Sequence, residues 1–452
     1  AAAGRSAAPP TYAGATGASP GPHVAADRQE NDPVSTPTPT PSAEVATPEP
    51  RVTRRGKRRA KRRRTHTVAK VLVSTLVVLG LVTGLSVTYL YRHLNGNLTV
   101  MDIDDQLVGD RPDKVEVTGP QEPLNVLVMG SDTREGANNI DGLTGGGERS
   151  DTTLLLHFSA DRERAYGVSI PRDSMVDRPE CRTEDGTTTP AASYQMWNVA
   201  YQLAGPACTI QQFEALTGIR LDHFVVVDFT GFQDMVDAVG GVEVCIPEDI
   251  DDRAHGMYLE AGTRKLEGIQ ALNYVRQRYA LSGGSDIGRM KRQQAFIASM
   301  VNTVVSSNTL ARPDRLLGFL EAATESLTLD EDLGNLWELA KLGYEFRGIG
   351  LDNVQFITIP NKVDPNDPNR LVWKRQADVV WNRLKNDEPL TKRLQTDVIS
   401  AARIPGTSSD EASEAPDDGE TASQGGGSGA KGSGGNAPTA SDEALAAAGL
   451  CT

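Results

Sequence analysis

Between Val71 and Leu90 the chain runs for twenty residues without a charged side chain, Val-Leu-Val-Ser-Thr-Leu-Val-Val-Leu-Gly-Leu-Val-Thr-Gly-Leu-Ser-Val-Thr-Tyr-Leu. As an α-helix this run is about 30 Å long, one hydrocarbon core thick. Tyr89 and Tyr91 stand at its far end, where amphipathic rings favour the membrane interface. On the near side crowd Arg54, Arg55, Lys57, Arg58, Arg59, Lys61, Arg62, Arg63 and Arg64, against Arg92 alone just past the far side. The positive-inside rule therefore predicts a single-pass protein of the cell membrane, with its N-terminus in the cytoplasm and everything after the span outside. A cleaved leader is the competing reading, but about seventy residues precede the apolar run, too many for a typical secretory leader.

The two ends have compositions that cannot build a core: residues 1–50 are mainly Ala, Pro, Thr, Ser and Gly, and residues 406–440 mainly Ser, Gly, Asp and Glu. Residues 1–70 carry 13 Lys and Arg against 5 Asp and Glu, so the remaining 382 residues carry 33 basic against 55 acidic side chains. An anionic ligand of this acidic part must be held by a local arginine cluster or a metal, because the overall field repels it. The basic run abuts a membrane span and has no interleaved aromatics, so it reads as a topology signal touching anionic lipid, with no nucleic acid as partner.

The expected organisation is a disordered cytoplasmic tail over 1–66, a transmembrane helix over 67–91, a polar extracytoplasmic stalk over 92–122, one folded domain over 123–390 and a low-complexity tail over 391–452. Leu124–Gly130, Thr152–Phe158 and Ala165–Ile170 read as buried strands, the last ended by Pro171. Helices are expected over Ala191–Leu203, Ile210–Leu216 and Gly231–Val239, with strands at His223–Phe229 and Val242–Ile246 forming a βαβ-like unit around the last helix. Further helices follow at Lys265–Arg276, from Asp286 to about Ser307, at Pro313–Thr324, Leu333–Phe346 and Trp373–Lys385, with a strand at Val354–Pro360. The class is α/β. Cys181 and Cys208 bracket a turn-rich segment on the oxidising side of the membrane and are expected to pair, worth roughly 3–4 kcal/mol on the chain-entropy model.

The chemistry repeats at strand ends. Asp132 with Arg134, Arg149 with Asp151, and Arg172 with Asp173 each lie beside one of the first three strands. Carboxylates hold hard divalent cations, and guanidinium forks hold phosphate oxygens. Structural ion pairs tying off strand ends would leave the same trace. A second cluster changes the balance: Tyr274-Val-Arg276-Gln-Arg278 at a helix end, then Asp286-Ile-Gly-Arg289-Met-Lys-Arg292-Gln293, in which Arg289 and Gln293 share a helix face. Arginine is too basic to act as a general base, so these side chains can only bind or neutralise. A pyrophosphate fits them, with Asp132 and Asp151 holding Mg²⁺ or Mn²⁺ across its oxygens. The glycine run 145–147 has neither the Lys-Ser/Thr of a P-loop nor a following helix, so nucleotide binding is not expected.

In this order the runs Asn125-Val-Leu-Val-Met-Gly-Ser-Asp132-Thr-Arg134, Arg149-Ser-Asp151-Thr, Ser169-Ile-Pro-Arg172-Asp173, Asn198-x-Ala-Tyr201, Gly231-Phe-x-x-x-Val236-Asp237-x-x-Gly240-Gly241-Val242, Tyr274-Val-Arg276-x-Arg278 and Asp286-x-Gly-Arg289-x-x-Arg292-Gln293 resemble the LytR-CpsA-Psr family. The resemblance implies a three-layer α/β fold, a central mixed sheet flanked by helices, on a membrane anchor. It implies a phosphotransferase moving a glycopolymer from a polyprenyl-pyrophosphate carrier onto peptidoglycan through a new phosphodiester. Carried over, Asp132 and Asp151 bind the metal, and Arg149, Arg172, Arg276, Arg278 and Arg289 clamp the pyrophosphate with Gln293 beside them. Asp132 or Asp173 would take the proton of the acceptor hydroxyl, and the polyprenyl tail would enter an apolar channel between sheet and helices. A metal-free lipid-pyrophosphate-binding regulator, or a pyrophosphatase using water in place of the sugar hydroxyl, are the alternatives. Actinobacterial relatives often place a cysteine where this chain reads Glu260-Ala-Gly-Thr263-Arg, so Cys245 is expected to be a buried free thiol and the tail ending at Cys451 to be disordered.

Overall fold

The computed structural model describes residues 60–131, 150–253, 257–277, 286–305, 312–403 and 441–451. Contacts divide the chain into Ala1–Ser74 and Thr75–Thr452; of the first unit only the opening of helix α1 (Ala60–Asn97) is described. Within α1, Leu76, Leu79, Leu81 and Leu85 are all well exposed although they point to different sides. A helical stretch apolar all round, with none of the described residues covering it, suits lipid as its solvent. It is the one helix among the described residues long and apolar enough to cross a membrane.

The segment expected to be a free stalk is built into the second unit. Helix α1 continues to Asn97, Leu94 is 3 % exposed, and strand β1 (Thr99–Val100) enters the main sheet. Ile103 then packs into the core. Evenly spaced aspartates disguise this, because the few apolar residues between them are the ones that are buried.

The sheet's other strands are β2 (Leu124–Ser131), β3 (Ser150–Phe158), β4 (Ala165–Ile170), β5 (His223–Val227), β6 (Leu327–Leu329), β7 (Val354–Thr358) and β8 (Ile399–Ser400). Among the described residues the order is β1-β6-β5-β2-β3-β4-β7-β8. Neighbours β2/β3 and β3/β4 are antiparallel, whereas β2/β5 and β4/β7 are parallel, so the sheet is mixed as expected. Side chains alternate between its faces. Leu127, Met129, Leu155 and Val168 pack with Ile210 and Phe213 of α2 (Val199–Thr217), and the same core takes in residues of the helix Arg375–Lys385. The opposite face, with Val128, Gly130, Leu154 and Leu156, looks toward α3 (Phe229–Ala238), α4 (Gly268–Arg276) and α5 (Asp286–Val305). Gly167 on this face is required: a Cβ there would run into the Phe356 ring.

Several expected elements change. Ala192–Met196 is a strand paired with Met175–Arg178, where a helix was expected from Ala191; the Arg178 guanidinium donates to the carbonyls of Pro190 at 2.7 Å and Pro179 at 3.0 Å, which holds this hairpin. Helix α2 starts at Val199 and breaks at Ala204 and Gly205, ahead of Pro206. Val242–Ile246 pairs antiparallel with Gly262–Leu266 in a separate ribbon, so α3 does not connect two strands of one sheet and the βαβ-like unit expected around it does not form. The first residues of the expected Lys265–Arg276 helix belong to that ribbon.

The C-terminal boundary at 390 also moves. Strand β8 pairs with β7, and a short helix at Asp442–Ala447 leads to Ala448 and Leu450, both buried against Leu154, Phe356 and Ala298. Cys181 pairs with Cys208 as expected, Cα atoms 5.3 Å apart. Cys245 is not a free thiol: it is joined to Cys451, Cα atoms 5.8 Å apart. The low-complexity composition ends before these last residues, and no local pattern reveals a partner 206 residues away.

Candidate functional site

Between the sheet and helices α3, α4 and α5 lies a cavity of about 390 Å³, within the range of small-molecule sites. Its walls are apolar: Leu154, Leu156, Phe232, Met235, Phe296, Met300 and Phe356 among others. Polar groups gather where β2 ends and β3 begins. Gly130 and Thr152, partners in the ladder, line the cavity there with Asp228, Arg276, Arg289 and Gln293.

The sheet and helices bring these groups together from distant parts of the chain. Arg276 is the last residue of α4, and its guanidinium lies 4.5 Å from the centre of the Phe229 ring, a cation–π seat that fixes its plane. Arg289 is 3 % exposed, and its Nη2 lies 2.6 Å from Oδ1 of Asp286, one turn earlier on α5. The same Asp286 oxygen lies 3.9 Å from Nε of Arg172, which follows β4. Asp286 therefore spaces two guanidiniums, and as the first residue of α5 it also favours the positive end of the helix dipole. Gln293 lines the cavity one turn beyond Arg289 and donates to the Val275 carbonyl at 3.2 Å.

Asp173 stands outside the cavity lining. Its Oδ1 accepts from Arg370 at 3.1 Å and its Oδ2 lies 3.4 Å from Arg172 Nε. A carboxylate held on both oxygens by guanidiniums is built to aim Arg172. Burial pushes the Tyr274 hydroxyl up to about 12 even with Arg292 beside it, which leaves it neutral and unsuited to take a proton. Asp132, Arg149 and Arg278 lie outside the described residues, as does the side chain of Asp151. The residues before the two aspartates, Ser131 and Ser150, face each other in the β2/β3 ladder beside the cavity's polar end.

Sequence reasoning named Asp286 only as part of a motif; the signal for its role was the Asp-x-x-Arg spacing, three residues on a helix. It gave no role to Asp228, which caps α3 by accepting from Gly231 N at 2.7 Å while lining the cavity. Nor did it assign Arg292, which is fully buried and donates to the carbonyls of Gln277 and Ala448, tying the end of α4 and the C-terminal segment to α5.

A second cluster, His223, Asp330 and Asp332, has the ligand types of a metal site but lies at the start of β5, whereas the cavity meets the end of that strand. Asp330 spends its oxygens elsewhere: on His223 Nδ1 at 3.1 Å and on the backbone N–H groups of Phe224 and Leu333. It is a clasp. Burial alone would lower the His223 pKa, but the Asp330 hydrogen bond and the charges of Asp330, Asp222 and Asp332 raise it above 6.5. For Asp330, burial is outweighed by His223 and the two N–H donors, which hold the carboxyl below 3.8. A raised histidine contributes stability that is complete below 6.5 and fades as pH rises through its folded value; a depressed aspartate contributes stability that is complete above 3.8 and fades as pH falls through its folded value. The stability lost in His223→Gln, measured by urea unfolding, is therefore expected to be larger at pH 5.5 than at pH 9. Equal losses at both would show that the pair carries no charge coupling.

The sequence model of the LytR_cpsA_psr family matches residues 90–386. The chain is 34 % identical over 230 residues to the probable cell wall biosynthesis protein LcpB of Corynebacterium glutamicum, covering 50 % of this chain and 52 % of that protein. It is 33 % identical over 261 residues to the cell wall biosynthesis protein LcpA of the same organism, covering 52 % and 49 %. It thus spans about half the length of these two relatives. To the polyisoprenyl-teichoic acid–peptidoglycan teichoic acid transferase TagU of Halalkalibacterium halodurans it is 28 % identical over 310 residues, 65 % of this chain and 94 % of that one. Among solved structures, TagT bound to LI-WTA superposes with a TM-score of 0.47 at 24 % identity, over 62 % of this chain and 96 % of that one.

Proposed function

This chain belongs to the LytR-CpsA-Psr family, and from that premise we propose that it is a membrane-anchored phosphotransferase, moving a glycopolymer from a polyprenyl-pyrophosphate carrier to peptidoglycan and leaving a phosphodiester. The observation that carries the reading is the placing of Arg276, Arg289 and Gln293, with Asp228 and Thr152, at one end of a largely apolar cavity. A lipid pyrophosphate has the same two parts, a dianionic head and a hydrocarbon tail. In an acidic domain only such a local cationic site can hold the head.

Arg289 and Arg276 bind the phosphate oxygens and offset the charge that spreads over the transferred phosphoryl group, and Gln293 adds a neutral donor. Arg172, aimed by Asp173 and Asp286, sits at the edge of this cluster, and Arg149 and Arg278 are proposed to complete it. Asp132 and Asp151 are proposed to hold Mg²⁺ or Mn²⁺, since two carboxylates at adjoining strand ends are hard oxygen ligands of the right charge. A metal held by these carboxylates would supply positive charge to offset that of the pyrophosphate. Asp132 is the proposed acceptor of the sugar hydroxyl proton, because Asp173 is already committed to two arginines. The relatives' names, cell wall biosynthesis proteins and a teichoic acid transferase, support the reading.

The full chain, reconstituted with a synthetic polyprenyl-pyrophosphate glycan, peptidoglycan fragments and Mg²⁺, is expected to release polyprenyl phosphate and to leave the glycan covalently on the muropeptide by mass spectrometry. Chelation by EDTA is expected to stop both and Mn²⁺ to restore them. Free phosphorylated glycan without a muropeptide adduct would assign hydrolysis instead, and tight lipid binding with neither product would assign a binding protein.

A further inference from the structure

The helix α7 (Leu336–Phe346), eleven residues long, follows α6 (Pro313–Ser326) and keeps an exposed face. On it Trp337 is 69 % and Tyr344 61 % exposed, with the Lys341 side chain between them 60 % exposed. Spacings of four and three residues put the three in one stripe. Just past the helix Arg347 extends the stripe, lying 3.7 Å over the Tyr344 ring and donating to its hydroxyl at 2.7 Å. The helix carries two acidic residues, Glu338, 3.5 Å from Lys341, and Glu345, paired with Arg162 at 3.2 Å. Aromatic rings with a polar edge beside Lys and Arg make up the composition that settles at a lipid headgroup region, and it stands out in an exported part with 55 acidic and 33 basic residues.

The position of this face names its occupant. The backbone N–H of Leu336, at the start of α7, donates to Asn95 Oδ1 at 3.0 Å. Asn95 belongs to α1, about 6 Å along the helix from Tyr91, where the apolar run ends. His93 and Asn97 on either side are tied to Glu321 at 3.2 Å and Glu325 at 3.4 Å. The start of α7 is thus pinned within one or two turns of the place where the chain leaves the bilayer. Its other end reaches the cavity: Phe346 stacks on Phe158 with centroids 3.7 Å apart, and both rings line the apolar end, opposite Arg276 and Arg289.

We propose that α7 is an interfacial helix lying on the outer leaflet of the membrane that α1 crosses, with Trp337 and Tyr344 among the headgroups and Lys341 and Arg347 against anionic lipid. Its Phe346 end sets the cavity's apolar end at the membrane surface, so an isoprenoid chain enters the protein without crossing water. This hand-over rests on the substrate proposed above; the docking of α7 does not.

The test uses the full chain in nanodiscs of phosphatidylcholine with phosphatidylglycerol, carrying lipids brominated at a shallow acyl position. Trp197 and Trp381 are 1 % and 3 % exposed and Trp373 is partly buried, so Trp337 is the fluorophore that lipid can reach. Emission is expected to be quenched in the wild type and not in Trp337→Phe. The Lys341→Glu/Arg347→Glu double variant is expected to lose quenching in anionic discs, with little change in purely zwitterionic ones. Equal quenching in the wild type and Trp337→Phe would overturn the docking, as would a Trp337 shielded from aqueous acrylamide yet untouched by lipid, the mark of a protein partner or second copy. For the hand-over, Trp337→Ser/Tyr344→Ser is expected to raise KM several-fold for bilayer-embedded substrate, with kcat unchanged and a short-chain soluble analogue unaffected. An unchanged KM overturns the hand-over. A wild-type chain that turns over no lipid would instead count against the proposed reaction, with the quenching still reading the docking.

Discussion

Arg289→Ala is expected to lower turnover of a polyprenyl-pyrophosphate glycan by about two to three orders of magnitude, the usual cost of losing a preorganised charge partner in an enclosed site. The guanidinium is 3 % exposed and already oriented by Asp286, so little water or side-chain motion has to be rearranged as charge develops. Arg276→Ala is expected to fall in the same range, because the Phe229 ring holds that group's plane in place. Arg289→Lys should recover only part of the loss, since an ammonium cannot reproduce the flat two-pronged contact with phosphate oxygens. Asp286→Asn should be milder: it leaves both arginines present and loosens only their spacing. Steady-state rates, read beside a thermal melt to confirm folding, check the series. A folded Arg289→Ala protein with wild-type kcat/KM would remove this side chain from the mechanism.

Cys451→Ser is expected to destabilise the folded unit by roughly 3–5 kcal/mol, with a fall in the melting midpoint on the order of 10 °C. The Cys245–Cys451 bridge closes a separation of 206 residues, against 27 for Cys181–Cys208, and the entropy removed from the unfolded chain grows with that length. Losing the tie has a structural consequence as well. Ala448 and Leu450 would no longer be held against Phe356 and Ala298, and Arg292, buried in the body, would lose the Ala448 carbonyl it donates to at 3.2 Å. Because Arg292 also grips the Gln277 carbonyl, next to Arg276, the loss is expected to reach the cavity as a raised KM. Differential scanning calorimetry of the oxidised wild type, Cys451→Ser and Cys181→Ser would rank the two bridges. A Cys451→Ser protein melting with the wild type would show that the C-terminal segment adds nothing to the fold.

How much was legible depended on how local the cause was. The central strands were read to within a residue or two, and β4 without error, because each is an apolar run cut off by proline, glycine or a charged cluster. Helix α5, with Arg289 and Gln293 on the face that lines the cavity, followed from periodicity alone. The misreadings came where short segments take their conformation from a distant partner. Ala192–Met196 is extended because Met175–Arg178 lies beside it, and Gly262–Leu266 because Val242–Ile246 does. The stalk and the tail were misjudged for the same reason: a few buried side chains, Leu94 and Ile103 at one end and Leu450 and Cys451 at the other, outweigh a polar composition.

By itself the sequence determined a helix long and apolar enough to cross a membrane, the strands of the central sheet and a stock of arginines that can bind only anions, all properties of side chains within a few residues of one another. Only the tertiary structure decided that Arg276 rests on Phe229, that Asp286 spaces Arg172 from Arg289, and that a cavity opens beside them. These are meetings between residues tens to hundreds of positions apart, and a chain encodes such meetings through the packing of its whole core, which no short window of sequence contains.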